Sequence, residues 1–488
     1  MPSPIILLQA YISGGITHMG KEYGNSSDTK LSGNLSDADT TLPVKGKKKK
    51  FTKQEMSWLF YDWANSVYAT NIMAAIFPIY FAKVCAGQLV AGDQMWAYGT
   101  SIATFIVAIL APFLGAVGDY KGMKKKLLSA FLAIGVIFTL MMAISDNWKL
   151  MLVGYIISYI GFTGGNLFYD SFLTDVTTED RMDMVSSYGY AMGYIGGSTI
   201  PFLVSIGIIM SPFGAANGVL AVKIAVVLTS VWWAVFSIPI LKNVHQRHYV
   251  EIPAKRLVLN TLINVKNTAI EIFANKGIFV FVLAYFFYID GVNTVIHMAT
   301  AYGSTLGLDS TGMILALLVT QLVAVPCSIL FGKLSQRFGS LKMILFAVCM
   351  YACICMVGFY MGYTIEHAIV VDPAKGSYFI AAKATAQTLF WIMAALVGTV
   401  QGGIQSISRS YYGKLIPPER SNEFFGFFDI FGKFAAVIGT FLYGLISSLT
   451  GSSAQGILSV SALFIIAFII LVAGRRSLSG AEKMTGKN

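Results

Sequence analysis

Phe60-Tyr61-Asp62-Trp63-Ala64-Asn65-Ser66-Val67 lies in the first long apolar run of the chain, and Tyr288-Ile289-Asp290-Gly291-Val292-Asn293-Thr294-Val295 lies in the seventh. Both read Asp-x-x-Asn-[Ser/Thr]-Val. A second echo falls in the loops after runs 2 and 8, where Gly115, Asp119, Gly122 and Lys125 match Gly332, Gln336, Gly339 and Lys342 at the same internal spacing. The repeated unit therefore holds six runs, and an even number brings both copies into the bilayer from the same side. The expected fold is an all-α membrane protein of twelve transmembrane helices, arranged as two pseudo-symmetric six-helix bundles about an axis along the membrane normal.

Working outward from the repeat, apolar segments near the ~20 residues that span a bilayer as helix cover approximately 56–83, 95–117, 126–144, 150–173, 186–210 and 218–241. They resume over 277–301, 311–331, 341–363, 388–408, 424–446 and 457–472. The chain is 56% hydrophobic and only 12% charged, against roughly 25% charged in a soluble domain, so its solvent is largely lipid. Residues 1–50, rich in Ser, Asp, Gly and Lys, are expected to form a disordered tail, and their short apolar piece lacks the basic leader and length of a signal peptide. Residues 51–241 form the first bundle, 242–276 a linker, 277–474 the second bundle and 475–488 a second tail. Within the linker, Leu259, Leu262, Ile263, Ile270 and Phe273 recur at helical spacing beside Lys255, Arg256, Lys266 and Lys276, which suits a helix lying on the membrane surface.

The formal charge of +11 is spread over alternate loops rather than gathered on one basic face or arm, so nucleic acid is not an expected partner. One set of loops carries Lys45, Lys47 to Lys50, Lys53, Lys121, Lys124 to Lys126, Lys333, Arg337, Lys342, Lys414, Arg420, Arg475 and Arg476. The other has little beyond Lys83, Lys149, Lys375 and Lys383. Basic loops are retained in the cytoplasm, so both termini are expected there, with the plasma (inner) membrane as location and the vacuolar membrane as the alternative. Cys349, Cys353 and Cys355 share one apolar run without paired spacing or a nearby His, and read as packing residues rather than a metal or disulfide site.

Ionisable and polar groups inside spans cost free energy unless they face a cavity or partner. Asp290, Asn293, Thr294 and His297 fall at i, i+3, i+4 and i+7 on one helix face; Asp62, Asn65, Ser66 and Thr70 repeat the pattern in run 1. Run 4 supplies Thr163, Asn166 and Asp170, and run 10 supplies Gln401, Gln405, Ser408 and Arg409. Asp290 and Asp62 with Asn293 and Asn65 are the candidates for ion coupling, Asp290 first because it lies nearest mid-membrane. Arg409, Gln405, Gln401, Asn166, Thr294 and His297 are the candidates for substrate contact, and an arginine fork suits a carboxylate. Glycines at 189, 193 and 197 allow close helix approach, and Asp429 and Lys433, four apart, are expected to pair with each other.

The loop Gly115-x-x-x-Asp119-x-x-Gly122-x-Lys124-Lys125, with the twelve runs, resembles the major facilitator superfamily. The stretches Phe60 to Ser66, Tyr288 to Thr294 and Gln401-Gly402-Gly403-Ile404-Gln405-Ser406-Ile407-Ser408-Arg409-Ser410 are similar to its branch of autophagy-related vacuolar amino-acid effluxers. The resemblance covers about residues 51–474. It implies that helices 1, 4, 7 and 10 line a central cavity, and that Asp119, Gly115, Gly122 and Lys125, with Asp170 and Arg420, belong to a cytoplasmic gate. The gate would be charged in the first half and weaker in the second, where Gln336 replaces the acid. It also implies amino-acid export. No nucleotide loop, metal cluster or nucleophile with its base is present, so an enzyme is not expected. The chain reads as a monomeric secondary transporter, symporter or antiporter, of a small polar solute by alternating access. It needs no organic cofactor, and H⁺ or Na⁺ would couple transport. A lipid or lysolipid flippase, or a non-transporting sensor or scaffold, is the alternative.

Overall fold

The computed structural model describes residues 50–85, 92–251, 257–435 and 437–479. The expected tail over 1–50, except Lys50, lies outside them, as do Lys255, Arg256 and residues 480–488. Eleven helical stretches are long and apolar enough to cross a membrane, and a bent pair makes a twelfth. The first half holds α1 (Lys53–Val67), α2 (Gly92–Gly118), α3 (Met123–Ile144), α4 (Trp148–Ser171), α5 (Glu179–Met192) and α6 (Gly218–Asn243). After the linker helix α7 (Leu257–Ala274) come α8 (Lys276–Thr305), α9 (Ser310–Phe338), α10 (Ser340–Val371), α11 (Ser377–Leu415), α12 (Ser421–Phe434), α13 (Ile438–Thr450) and α14 (Ser453–Ala473). Among the described residues there is no strand, only an isolated bridge between Tyr120 and Val250.

Three spans are interrupted. α1 starts on a capping box, Thr52 with Glu55, runs through π-helical turns over Tyr68–Ala75 and bends by 41° into Phe77–Val84. α5 continues through Gly193–Thr199, also π-helical, into Ile200–Met210. α12 and α13 share the eleventh span but break between Phe434 and Ile438. Helices also extend beyond the apolar runs: α11 covers Ser377–Leu415, 39 residues or about 58 Å of helix, against an expected 388–408. Hydropathy marks the part of a helix within hydrocarbon, whereas backbone hydrogen bonding carries the helix on through the interface.

Alternation of the spans places Lys53, Lys121, Lys124, Lys333, Lys342, Lys414 and Arg420 at one end of the bundle, here termed the basic end. The hydrogen bonds joining the two halves gather there. Asp119 accepts from the Asn422 backbone N–H at 2.9 Å, the Asn422 side-chain amide at 2.8 Å and the Glu423 N–H at 2.9 Å. Its carboxylate thus sits at the positive N-terminus of α12, and its bonds come from there rather than from Arg420, the other gate residue nearby. Arg420 turns instead to Glu271 at 2.7 Å, to Thr268 and to Glu423. Beside it Lys124, fully buried, bonds Asp175 at 2.7 Å and Ser421 at 2.9 Å. The buried gate lysine is therefore Lys124, while Lys125 is half-buried one residue on.

The two motif glycines have different reasons. Gly122 has φ +72°, and the turn into α3 needs that left-handed conformation. Gly115 has Asn422 packed so close that a Cβ would stand 2.4 Å from the Asn422 carbonyl oxygen. The second half repeats this, since a Cβ on Gly332 would come within 2.8 Å of Ser187.

The second gate is charged after all, but its charge has moved across the interface. Gln336 is exposed and only donates to the Asp180 carbonyl at 3.3 Å. The carboxylate is supplied by Asp183 on α5, which accepts from Ser335, from Ser340 at 2.7 Å and from Ser410 at 2.5 Å, and pairs with Lys414 at 2.7 Å. Ser186 and Ser187 add bonds to Ser406 at 2.7 and 3.0 Å.

Breaking one partner of a buried pair costs about 3–5 kcal/mol, more than enough to shift the balance between sealed and open halves. With the five native cysteines replaced and a reporter thiol at Ser406→Cys, Asp119→Asn and Asp183→Asn should each raise its labelling roughly tenfold or more. Gln336→Asp, which sets a second carboxylate near Asp183, should raise it too. Labelling unchanged by either Asp variant removes that residue from the gate.

Candidate transport cavity

Above the gate, α4, α5, α8, α11 and α12 enclose a cavity of about 220 Å³. Leu167 and Asp170 come from α4, Tyr190 from α5, Tyr285, Ile289 and Asn293 from α8, Gln405 and Arg409 from α11, and Phe425, Phe428, Asp429 and Lys433 from α12. Both halves thus contribute, and the fifth and eleventh spans join three of the four helices expected to line it. α1 contributes at one remove, through Asp62.

Arg409 is the centre of the site. Its Nη1 donates to Asp170 Oδ1 at 2.8 Å, Nη2 lies 3.5 Å from Asp62 Oδ2, and Nε and Nη2 donate to the Ser186 hydroxyl and carbonyl at 2.9 and 3.1 Å. The guanidinium carbon lies 4.7, 5.3 and 4.7 Å from the rings of Trp58, Tyr169 and Tyr190, a favourable placement for a desolvated cation. Every one of these partners belongs to the first half. Arg409 therefore does not snorkel towards water: its side chain is 4% exposed and ties the second half to the first. Asp170, its closest partner, keeps 32% of its side chain open to the cavity, and Tyr169 donates to Asp62 at 2.6 Å.

A second ion pair, Asp429 with Lys433, lines the same cavity on α12. The spacing shows why they pair: four residues apart they stack on one helix face. Three carboxylates, Asp62, Asp170 and Asp429, thus meet two cations, Arg409 and Lys433.

The stripe on the seventh span divides. Asn293 faces the cavity, His297 is exposed, and Asp290 is fully buried away from the cavity, accepting the Gly439 N–H at 2.9 and 3.0 Å with Thr294 Oγ1 at 3.5 Å. Gly439 belongs to the first turn of α13, so Asp290 caps the positive end of a half-helix. The approach requires glycine, since a Cβ there would stand 2.2 Å from Thr294 Oγ1. The first half repeats the packing against α5: Ser66, the counterpart of Thr294, lies against Gly193 and Gly197 where α5 is interrupted, and the carboxylate of Asp62, the counterpart of Asp290, lies against Gly189 one turn earlier. Asn65 donates to Asn166 at 2.5 Å, linking α1 to α4, and Gln401 is half-buried one turn from Gln405.

The structure therefore brings Asp170, Asn293, Gln405 and Arg409 together around one cavity, with Asp62 behind Arg409. It leaves Asp290, Thr294, Asn65, Asn166, Gln401 and His297 outside the lining. Sequence reading missed Asp183 and Asp175, which read as loop acids, and the aromatic lining of Tyr190, Tyr285, Phe425 and Phe428, which single-chain periodicity does not separate from lipid-facing aromatics. Asp429 and Lys433 were visible as a pair, but nothing in their spacing said that the pair faces a cavity.

Comparison with known proteins bears on the family and the fold. The chain is 42% identical over 431 residues to an uncharacterised MFS-type transporter of Bacillus subtilis, YxiO, covering 87% of this chain and 95% of the relative. It is 27% identical over 299 residues to autophagy-related protein 22 of Cryptococcus neoformans, covering 59% of this chain and 49% of that relative, so the match spans about half the fungal protein. Among solved structures, a bacterial homologue of the iron transporter ferroportin in an outward-facing state superposes with a TM-score of 0.60 at 15% identity, over 87% of this chain and 98% of the other. The proton:xylose symporter XylE superposes with 0.58 at 10% identity, over 86% and 94%. These two likenesses concern the fold alone. The sequence model of the vacuole effluxer Atg22-like family matches residues 86–479, and the chain belongs to that family of major facilitator transporters.

Proposed function

We propose that this transporter carries a small zwitterion, an amino acid or close relative, and exports it from the compartment on the cytoplasmic side of the membrane or from a vacuole. The observation that carries this reading is the pairing of charges around one cavity, Asp170 with Arg409 and Asp429 with Lys433. A solute carboxylate can compete with Asp170 for the Arg409 fork, and its ammonium can be taken by Asp170 or Asp429. Tyr190, Tyr285, Phe425 and Phe428 offer an apolar wall to its side chain. A volume of about 220 Å³ is below the roughly 300–1,000 Å³ of drug-sized sites, so the cargo is small, and the charged lining disfavours acyl chains. The basic end is assigned to the cytoplasm by its loops, which makes the sealed gate a cytoplasmic one. The bacterial relative favours the plasma membrane, and the fungal relatives leave a vacuolar membrane as the alternative.

Arg409→Lys keeps the charge but loses the fork. Affinity for zwitterions should fall tenfold or more, and affinity for the corresponding amides much less, as read by ligand-induced thermal stabilisation of the purified protein. Equal losses for both would count against a carboxylate contact and leave Arg409 as a tie between the halves alone.

The coupling ion is assigned to Asp290, a buried carboxylate with no cationic partner among the described residues, held by the backbone N–H groups of Gly439 and Ile438 and the Thr294 hydroxyl. A proton or Na⁺ there would neutralise it while the spans reorient. Asp290→Asn should abolish accumulation driven by an ion gradient while sparing solute exchange between equilibrated sides, since exchange needs no return of the empty carrier. Loss of both together makes Asp290 a structural cap. Accumulation at the original rate moves the coupling site to the Asp62, Asp170 and Arg409 cluster, with its surplus of negative charge.

A further inference from the structure

The linker helix α7 is amphipathic in the opposite sense to a surface helix of a soluble protein. Its polar side faces the molecule. Thr261 and Thr268 are buried, Thr261 lies 3.4 Å from the Tyr120 hydroxyl, and Glu271 accepts from Arg420 at 2.7 Å. Its apolar side faces outward: Leu259, Leu262, Ile263, Ile270 and Phe273 are each between 45% and 62% exposed. Lys266, also exposed, stands among them. Such an arrangement is stable when the solvent of the outer face is lipid.

The place of the helix agrees. α7 ends at Ala274 and the span α8 begins at Lys276, with Asn275 between them capping α8 by accepting from Gly277 at 3.0 Å and Ile278 at 3.2 Å. The apolar side is therefore continuous with the membrane-facing surface at the point where a span leaves the bilayer, and Lys266 and Lys276, both exposed, flank it with positive charge. An anionic leaflet matches both features.

The inner side of α7 is wired to the gate in both halves. On one side Tyr120 follows Asp119, and the preceding linker is pinned to the same loop: Val250 N–H donates to the Asp119 carbonyl at 2.8 Å and Lys121 N–H to the Val250 carbonyl at 3.1 Å. On the other, Arg420 immediately precedes α12, whose N-terminus holds the Asp119 carboxylate. Opening the basic end parts α2 from α12, and α7 bridges both.

We propose that α7 is a lipid-bound clamp: an anionic bilayer surface holds its outer face through Leu262, Ile263, Ile270, Phe273, Lys266 and Lys276, and through Arg420 that attachment keeps the basic-end gate sealed. The test uses the full chain in vesicles of phosphatidylcholine alone and of phosphatidylcholine with phosphatidylglycerol, and neither readout needs a transported solute. A nitroxide at Ile270→Cys in the cysteine-replaced background should be accessible to oxygen and shielded from a water-soluble nickel chelate. A nickel-accessible nitroxide, as expected if the face were reserved for a protein partner, overturns the proposal. Labelling of Ser406→Cys should fall roughly fivefold or more when phosphatidylglycerol is included, the scale one lysine near an anionic surface supplies. Lys266→Gln with Lys276→Gln should remove that response. Arg420→Gln should remove it too while leaving the nitroxide shielded, which separates uncoupling from misfolding. Labelling indifferent to phosphatidylglycerol, or a response that survives Arg420→Gln, overturns the clamp.

Discussion

A charge taken out of water has to find its partner within the protein, and for Asp119, Asp183 and Arg409 of this transporter the partners lie in the other half. Asp119 is satisfied by N–H groups of α12, Asp183 by Ser335, Ser340, Ser410 and Lys414, and Arg409 by Asp170, Asp62 and Ser186. None of these sets can be half made. Parting the halves by even a few ångströms strands several buried charges, each at a cost of a few kcal/mol, until water enters to replace the lost partners. The gate therefore has two acceptable states, sealed and dry or open and flooded, which is the bistability that alternating access requires.

The pseudo-symmetry explains what the gate inherits and where it departs. Both motif glycines, Gly115 and Gly332, admit a close neighbour from the opposite half, so the geometry of approach is duplicated. The charge is not. In the first copy the acid stands in the loop and meets a helix end; in the second it stands on the helix, at Asp183, and meets hydroxyls and Lys414. Gln336, on the last turn of α9, is neutral and donates only to the Asp180 carbonyl, so the charge of the second gate rests on α5.

Much of this was legible in the chain because lipid imposes strict periodicities. Span length, the six-run repeat and the placement of basic loops follow from the cost of exposing backbone or charge to hydrocarbon, and each leaves a mark at fixed spacing, as in Asp62 and Asp290 or Gly115 and Gly332. The site was legible only in part. Periodicity puts Asp290, Asn293 and His297 on one broad face, but a helix face about 100° wide can meet a neighbouring helix, the cavity and the surroundings at once, and these three residues do so. Asp183 and Lys124 escaped because their partners are distant in sequence and only the closure of two halves brings them together.

The interrupted spans show how a rigid gate and a responsive cavity coexist. α1 and α5 are regular on the side of the gate and lose regular α-helical pitch beyond it, at Tyr68–Ala75 and at Gly193–Thr199, and in the eleventh span the gate-side helix α12 ends at Phe434 and α13 begins at Ile438. Helices interrupted in this way bend more readily than continuous ones, so their outer parts can shift while the gate-side parts keep their bonds. Asp290 sits at one of these joints, holding the first turn of α13 by its N–H groups. An ionised carboxylate strengthens that hold through the helix dipole, and a neutralised one weakens it. The joint thus ties the Asp290 carboxylate of α8 to the eleventh span, whose gate-side part, α12, carries Asp429 and Lys433 into the cavity and presents its N-terminus to Asp119. One span therefore meets the buried carboxylate, the cavity and the gate seal at three points along its length, so none of the three can be displaced without straining the other two.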